Sequence, residues 1–373
     1  MAERKKALVL SGGGARGAYH IGVIEALVEA GWMQDGQGPD IIAGTSIGAI
    51  NAAALASGLT AARMRQLWMQ MHTEEVHRLS DDLPPLARPL VRFLLRSVLT
   101  SQAHGGPVGY SMPESERGQS AQGLLGRIGE LFKARPFRSL LDTAPWRNTL
   151  AGWMDFDRIN GADAPALLIA ATELQTGALE VFCNRPLVGR PAERIGIEHL
   201  MASASIPIVY PWTEIGGGKY WDGAVLANTP LDPVIDLAGD DDVDIIVVMM
   251  TPWNADPNTL RERAGIMPQD LVQALTLTLD WTLLASYRVA FESLQHRNRL
   301  ADALGRLELA AVAVGDSSMM PTGVIPRPIA LPTVIAPEQL MPLDWIVDYE
   351  EETHLRLFAQ GRADAVRALS ARG

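Results

Sequence analysis

Residues 44–48 read Gly44-Thr45-Ser46-Ile47-Gly48, a G-x-S-x-G pentapeptide between an apolar run (Asp40-Ile41-Ile42-Ala43) and an Ala-rich helical stretch from Ile47 to Ser57. A serine at a sharp strand-to-helix turn has its Oγ pushed out of the sheet, and glycines two residues to either side keep other side chains from crowding it. The helix that follows aims its N-terminal N–H groups at the same spot, where negative charge develops during acyl transfer. The pentapeptide alone is a weak pattern. A strand before it and a helix after it make Ser46 a candidate nucleophile.

A second chemical feature lies near the N-terminus. The short apolar strand Lys6-Ala7-Leu8-Val9-Leu10-Ser11 runs into Gly12-Gly13-Gly14-Ala15-Arg16-Gly17 and then into a helical stretch from Ala18. Gly12, Gly14 and Gly17 satisfy G-x-G-x-x-G, so a dinucleotide-binding fold is a rival reading. That fold wants an acidic residue at the end of the second strand, on a ribose hydroxyl. Here the second strand runs from Ile41 into the Ser46 turn, and Asp35 and Asp40 lie before it. No Gly-Lys-Ser/Thr follows the glycines, which excludes a P-loop. Consecutive glycine N–H groups opening a helix, free of Cβ bulk, instead suit an oxyanion hole built from Gly12, Gly13 and Gly14. The third feature is Asp222-Gly223-Ala224, after the probable strand Lys219-Tyr220-Trp221. Taken alone, an aspartate before glycine is an ordinary turn pair.

Together, in this order along the chain, the three features resemble the patatin-like phospholipase family. The Ala202-Ser203-Ala204-Ser205 stretch with Pro207 and Pro211, and Asn228-Thr229-Pro230, also resemble it. The likeness spans about residues 5–235. It implies a three-layer α/β/α sandwich with a mostly parallel sheet, lipid acyl hydrolase activity, no cofactor or metal, and a Ser-Asp dyad instead of a triad. Ser46 would be the nucleophile and Asp222 the base, with Gly44, Gly48, Gly223 and Ala224 shaping the turns around them. Arg16, beside Gly17, would either fix the glycine loop or meet a phosphate, and the structural role is preferred. A solvated Asp has a pKa of about 3.9 and is a feeble base, so the dyad requires a pocket that desolvates Asp222. An α/β-hydrolase order would place a catalytic histidine after Asp222, leaving His296 and His354. Both fall in helical segments with no turn context, which disfavours a triad. Two other functions stay open: an acyltransferase using the same acyl-enzyme, and a catalytically silent lipid-binding module.

Composition fits a globular chain. The 373 residues are 47% hydrophobic and 20% charged, and the net charge of −11 argues against a nucleic-acid partner. The lone Cys183 rules out an intramolecular disulfide and suits a reducing, cytoplasmic setting. The apolar run after Arg4, Lys5 and Lys6 ends at Ser11, short of the roughly 7–15 residues a signal peptide core needs. Residues 41–62 carry no charge over a membrane-span length, yet they contain the glycine-flanked serine turn, so a buried strand-turn-helix is expected in place of a transmembrane helix.

Strand and helix alternate through the first 72 residues, as in a parallel sheet with crossovers. Further buried strands are expected at Ala166–Ala171, Leu179–Phe182, Asp244–Met250 and around Pro332–Ile335. A long amphipathic helix is expected over Gln269–Leu304, and a closing helix from about Glu350 to Ser370. Residues 236–373 carry no motif and read as an extension that completes the sheet and adds helices.

Residues 80–145 interrupt the catalytic unit as a cap or lid. From Pro84 to Leu140 there are eight basic residues against three acidic ones, with Arg88, Arg92 and Arg96 at i, i+4, i+8 among apolar residues. Such a basic amphipathic helix suits peripheral contact with an anionic membrane surface, or else caps the site with its arginines solvated. Oligomeric state is not legible.

Overall fold

A computed structural model describes residues 4–81, 83, 138–239, 241–256, 259, 267–268, 271–314, 327–342, 344–346 and 348–372. The basic stretch that holds Arg88, Arg92 and Arg96 lies outside the described residues.

The strands are β1 (Lys5–Leu10), β2 (Ile41–Thr45), β3 (Arg78–Leu79), β4 (Leu141–Asp142), β5 (Ala166–Glu173), β6 (Leu179–Cys183), β7 (Thr213–Ile215), β8 (Gly218–Asp222), β9 (Val243–Val248) and β10 (Thr333–Ile335). The main helices are α1 (Ala18–Glu29), α2 (Ile47–Ala56), α3 (Ala61–Gln70), α4 (Ile197–Ser203), α5 (Asp232–Ala238), α6 (Leu271–Val314) and α7 (Glu351–Ser370). The sheet order is β10-β9-β1-β2-β5-β8-β7, with β6 also on β5. Pairings from β10 through β5 are parallel, while those of β5 with β6, β5 with β8 and β7 with β8 are antiparallel.

The runs of Ala, Leu, Ile and Val in β1, β2, β5 and β9 are what a strand covered on both faces requires. Alternate residues point to opposite faces. Leu8, Leu10, Ile42, Leu167 and Ile169 pack in one core with α1, α2, α3 and α7. Ala7, Val9, Ile41, Ala43, Leu168 and Val247 pack in a second core with α5 and α6. The result is an α/β sandwich with helices on both sides of a mostly parallel sheet. On the first face α7 lies against α1, where the buried Tyr19 hydroxyl donates to Asp364 at 2.8 Å.

The uncharged residues 41–62 fold as strand, turn and helix into the start of α3. Among the described residues no helix is long and apolar enough to cross a membrane. The long helix α6 reaches Val314, ten residues past the expected Leu304. It continues through Gly305, which weakens a helix by only about 1 kcal/mol. The short ribbon of β3 with β4 joins the two borders of the 84–137 stretch, and Leu140 and Leu141 donate from it to Ile208 O and Val209 O.

Candidate active site

Ser46 occupies the single residue between β2 and α2, with φ 56° and ψ −126°. That region is rare for a residue with a Cβ and stores of order 1–3 kcal/mol, held only where surrounding structure over-determines it. Two constraints do so here. A Cβ on Gly44 would lie 2.4 Å from the Gly48 carbonyl, and one on Gly48 would lie 2.2 Å from Leu10 O, so only glycines allow the turn to close this tightly. The Ser46 N–H also donates to Ser203 Oγ at 2.8 Å, and that hydroxyl in turn donates to Ala170 O at 2.6 Å. Ser203 is fully buried at the end of α4, so it ties the turn to β5.

Strand register brings the aspartate to the serine. β2 runs parallel along β5 and stops with Thr45 opposite Ala170. β8 runs antiparallel and stops with Asp222 opposite Ala171. Because β6 occupies the other edge of β5 over these residues, β2 and β8 share one edge and meet end to end. Ser46 and Asp222, separated by the length of half the chain, therefore face each other. The backbone of Asp222 is held on both sides: its N–H donates to Ser205 O at 2.9 Å, and its carbonyl accepts from Thr172 Oγ1 at 3.0 Å. Its carboxylate accepts the Ala224 N–H at 2.8 Å. Gly223 turns the chain against Ala170, where a Cβ would have no room.

Asp222 is buried, and burial pushes its pKa up from 3.8 to about 7, while the nearby Ser46 hydroxyl and the Ala224 N–H pull the other way. The desolvation the sequence demanded is present.

The glycine loop lies over the same point. A Cβ on Gly12 would sit 3.1 Å from Ser46 Cβ and 2.5 Å from Asn228 Oδ1. The Gly12 N–H, expected to serve an oxyanion, donates instead to Asn228 O at 3.1 Å. Among the described residues the N–H groups of Gly13 and Gly14 donate to nothing. Gly17 begins α1 against Ile47. Arg16 is buried beside the loop and does not reach toward Ser46: its guanidinium meets Asp280, Met341 and Pro342.

No histidine among the described residues hydrogen-bonds Ser46 or Asp222. His20 contacts Asn51 Nδ2, His77 contacts the Tyr210 hydroxyl, and the His354 ring packs edge-on to Trp68. Nor, among the described residues, do three His, Cys, Asp or Glu side chains converge as metal ligands would. Motif reasoning passed over Asp280 and noted Ser203 only within the Ala202-Ser203-Ala204-Ser205 stretch, with no role attached. Ser203 carried a faint signal, a hydroxyl inside a buried run of small residues; Asp280 is one of four carboxylates along α6, and nothing in the sequence singles it out.

The sandwich, with a serine on a strand-to-helix turn at the carboxyl end of a central strand, defines the class. Residues 8–235 match the patatin-like phospholipase family, and the chain belongs to it. Over 60 residues it is 50% identical to patatin-like phospholipase domain-containing protein 6 of Homo sapiens and of Mus musculus. That stretch is 16% of this chain and 4% of those proteins, so the chain matches only a small part of their length. Among solved structures, VipD from Legionella pneumophila aligns over 99% of this chain and 67% of its own, at 16% identity and a TM-score of 0.42. ExoU, solved with SpcU from the type III secretion system of Pseudomonas aeruginosa, aligns over 78% and 52%, at 24% identity and a TM-score of 0.33.

Proposed function

We infer that this chain is a lipid acyl hydrolase that cleaves carboxylic esters through an acyl-enzyme on Ser46, with Asp222 as general base. Family membership supports lipid acyl hydrolysis. The observation that carries the dyad is the end-to-end meeting of β2 and β8 on one edge of β5, which faces a strained serine with a desolvated carboxylate.

In the acylation step Ser46 Oγ attacks the ester carbonyl carbon and its proton passes to Asp222. The oxyanion is met by the N–H groups of Gly13 and Gly14, in the field of the α2 N-terminus. Collapse of the tetrahedral intermediate breaks the ester C–O bond, and the leaving alcohol takes the proton from Asp222. In deacylation Asp222 removes a proton from water, the hydroxide attacks the acyl carbonyl, and Ser46 recovers its proton as the fatty acid leaves. A carboxylate with a pKa of about 7 is a base matched to neutral pH, which one near its usual value is not.

The test is a panel of p-nitrophenyl esters, phospholipids, lysophospholipids and monoacylglycerols, together with labelling by a fluorophosphonate. Turnover and labelling are expected in the wild type. Ser46→Ala should lose both, and Asp222→Asn should lose turnover with the fold intact. Retention of more than about a tenth of wild-type turnover by Asp222→Asn would remove the dyad, since a general base contributes at least about a hundredfold.

A further inference from the structure

We propose that Asp280, on the helix α6 outside the family-matched segment, is a positioning residue for the oxyanion loop, acting through Arg16 to aim the Gly13 and Gly14 N–H groups. The proposal rests on the reading of Ser46 as nucleophile, because only then does the loop have an oxyanion to meet.

Arg16 sits two residues after Gly14, in the single turn Gly14–Gly17 that opens α1. Its side chain is 1% exposed, so its donors must find protein acceptors. Nη1 donates to Asp280 Oδ1 at 2.9 Å, and Nη2 donates to Met341 O and to Pro342 O, each at 3.1 Å. All three acceptors come from residues 280–342, after the family-matched segment ends at residue 235. A second contact leads to the same region. Gly14 has φ +62°, and a Cβ there would lie 2.1 Å from Ile346 O, so the turn at Asp344–Ile346 is pressed directly on the loop. The loop that faces Ser46 is thus clamped at residue 14 and at residue 16 by the C-terminal part of the chain.

The ion pair is not built as a stability device. Asp280 is as buried as Arg16, yet Arg16 Nε and Asp280 Oδ2 have no partner among the described residues. A buried pair with unmet polar atoms contributes little over apolar packing of the same volume, while removing one member strands the other. What it does supply is direction. The planar guanidinium accepts few geometries, and fixing it fixes the peptide planes just before it. Asp280 is itself held, because Leu284, one turn along α6, is buried in the core on the far face of the sheet. An oxyanion donor displaced by a fraction of an ångström loses transition-state contact while the ground-state substrate still binds, so the defect falls on kcat.

The experiment compares the full-length wild type with Asp280→Ala, Asp280→Asn, the apolar pair Arg16→Met/Asp280→Leu, and Leu294→Ala. Active-site-titrated kcat and KM on p-nitrophenyl butyrate, Tm, and hydrogen exchange of the peptide spanning residues 9–19 are measured on each. That peptide holds the Gly12 N–H bonded to Asn228 O. Asp280→Ala is expected to lower kcat about a hundredfold with KM within about threefold, the size of one lost oxyanion donor. It should also speed exchange in the 9–19 peptide. Asp280→Asn keeps an acceptor and should recover part of the kcat. The apolar pair should recover Tm but not kcat, and Leu294→Ala, at a buried position about four turns from Asp280 along α6, should lower Tm while leaving kcat per titrated site unchanged.

If Asp280→Ala kept kcat within twofold, or if the apolar pair restored kcat together with Tm, Asp280 would be a packing residue and the proposal would fall. Should the wild type neither turn over esters nor be labelled at Ser46, the hydrolase reading fails on its own terms. Exchange in the 9–19 peptide then decides the positioning: faster exchange in Asp280→Ala supports it and unchanged exchange overturns it.

Discussion

Raising the pH from 6 to 8 is expected to raise kcat/KM for a neutral, soluble ester about tenfold, because Asp222 must be ionised to accept the serine proton. Its pKa is pushed up to about 7, with burial as the main cause. For a single titration at that value, about a tenth of the molecules carry the base form at pH 6 and about nine tenths at pH 8. An aspartate near its ordinary value would be fully ionised across this range and would give a flat profile. The same shift has a stability consequence of definite sign. The unfolded chain releases this proton near the ordinary carboxylate value of 3.8 and the folded chain near 7, so between these values the folded state holds the extra proton. Stability is therefore greatest below about 3.8 as far as this group is concerned, falls as pH rises through the window, and stays reduced above it. Three units correspond to about 4 kcal/mol as an upper order of magnitude. Asp222→Asn, which keeps an acceptor for the Ala224 N–H, should be more stable than wild type at pH 8 and nearly equal to it at pH 4. The assays are initial rates on p-nitrophenyl butyrate at constant ionic strength from pH 5 to 9, and urea unfolding of both proteins at the two pH values. A flat rate profile, or an Asn variant whose gain does not grow with pH, would refute the argument that burial tunes this carboxylate.

Ser203→Ala removes the acceptor of the Ser46 N–H at the strained turn, and the stranded buried donor should cost about 1–3 kcal/mol of stability and lower kcat at least severalfold, read by Tm and titrated kinetics. The conservative Ser203→Thr should recover more activity than Ser203→Ala if the hydroxyl is what matters. His296→Ala and His354→Gln should leave kcat within a few-fold of wild type; a fall of about a hundredfold in either would demand a triad. Charge reversal at Arg88, Arg92 and Arg96 should slow hydrolysis on anionic vesicles, at about 1 kcal/mol of attraction per basic residue, and spare a soluble short-chain ester. Equal slowing of both substrates would mark the stretch as a cap, and high salt should mimic the reversal on vesicles only.

Much of this protein was legible before any fold was drawn, and what was legible is local. The run Ile41-Ile42-Ala43 before Gly44 and the small residues after Ser46 specify a strand, a sharp turn and a helix within about a dozen residues, through sterics between near neighbours. The apolar runs of β1, β5 and β9 likewise report their own burial. Tertiary structure decided what lies far apart in sequence. Whether Asp222 meets Ser46 or misses it depends on a register in which Thr45 and Asp222 stop opposite consecutive residues of β5, and a slip of one residue would turn the side chain to the other face. No spacing in the sequence encodes that register. Which glycine N–H groups remain free was settled by Asn228, whose carbonyl takes the one from Gly12. The partner of Arg16 lies 264 residues away in a helix whose sequence reads as plain packing. Local sterics and periodic burial are written residue by residue, whereas register and buried charge pairing exist only once the two cores have closed on the sheet.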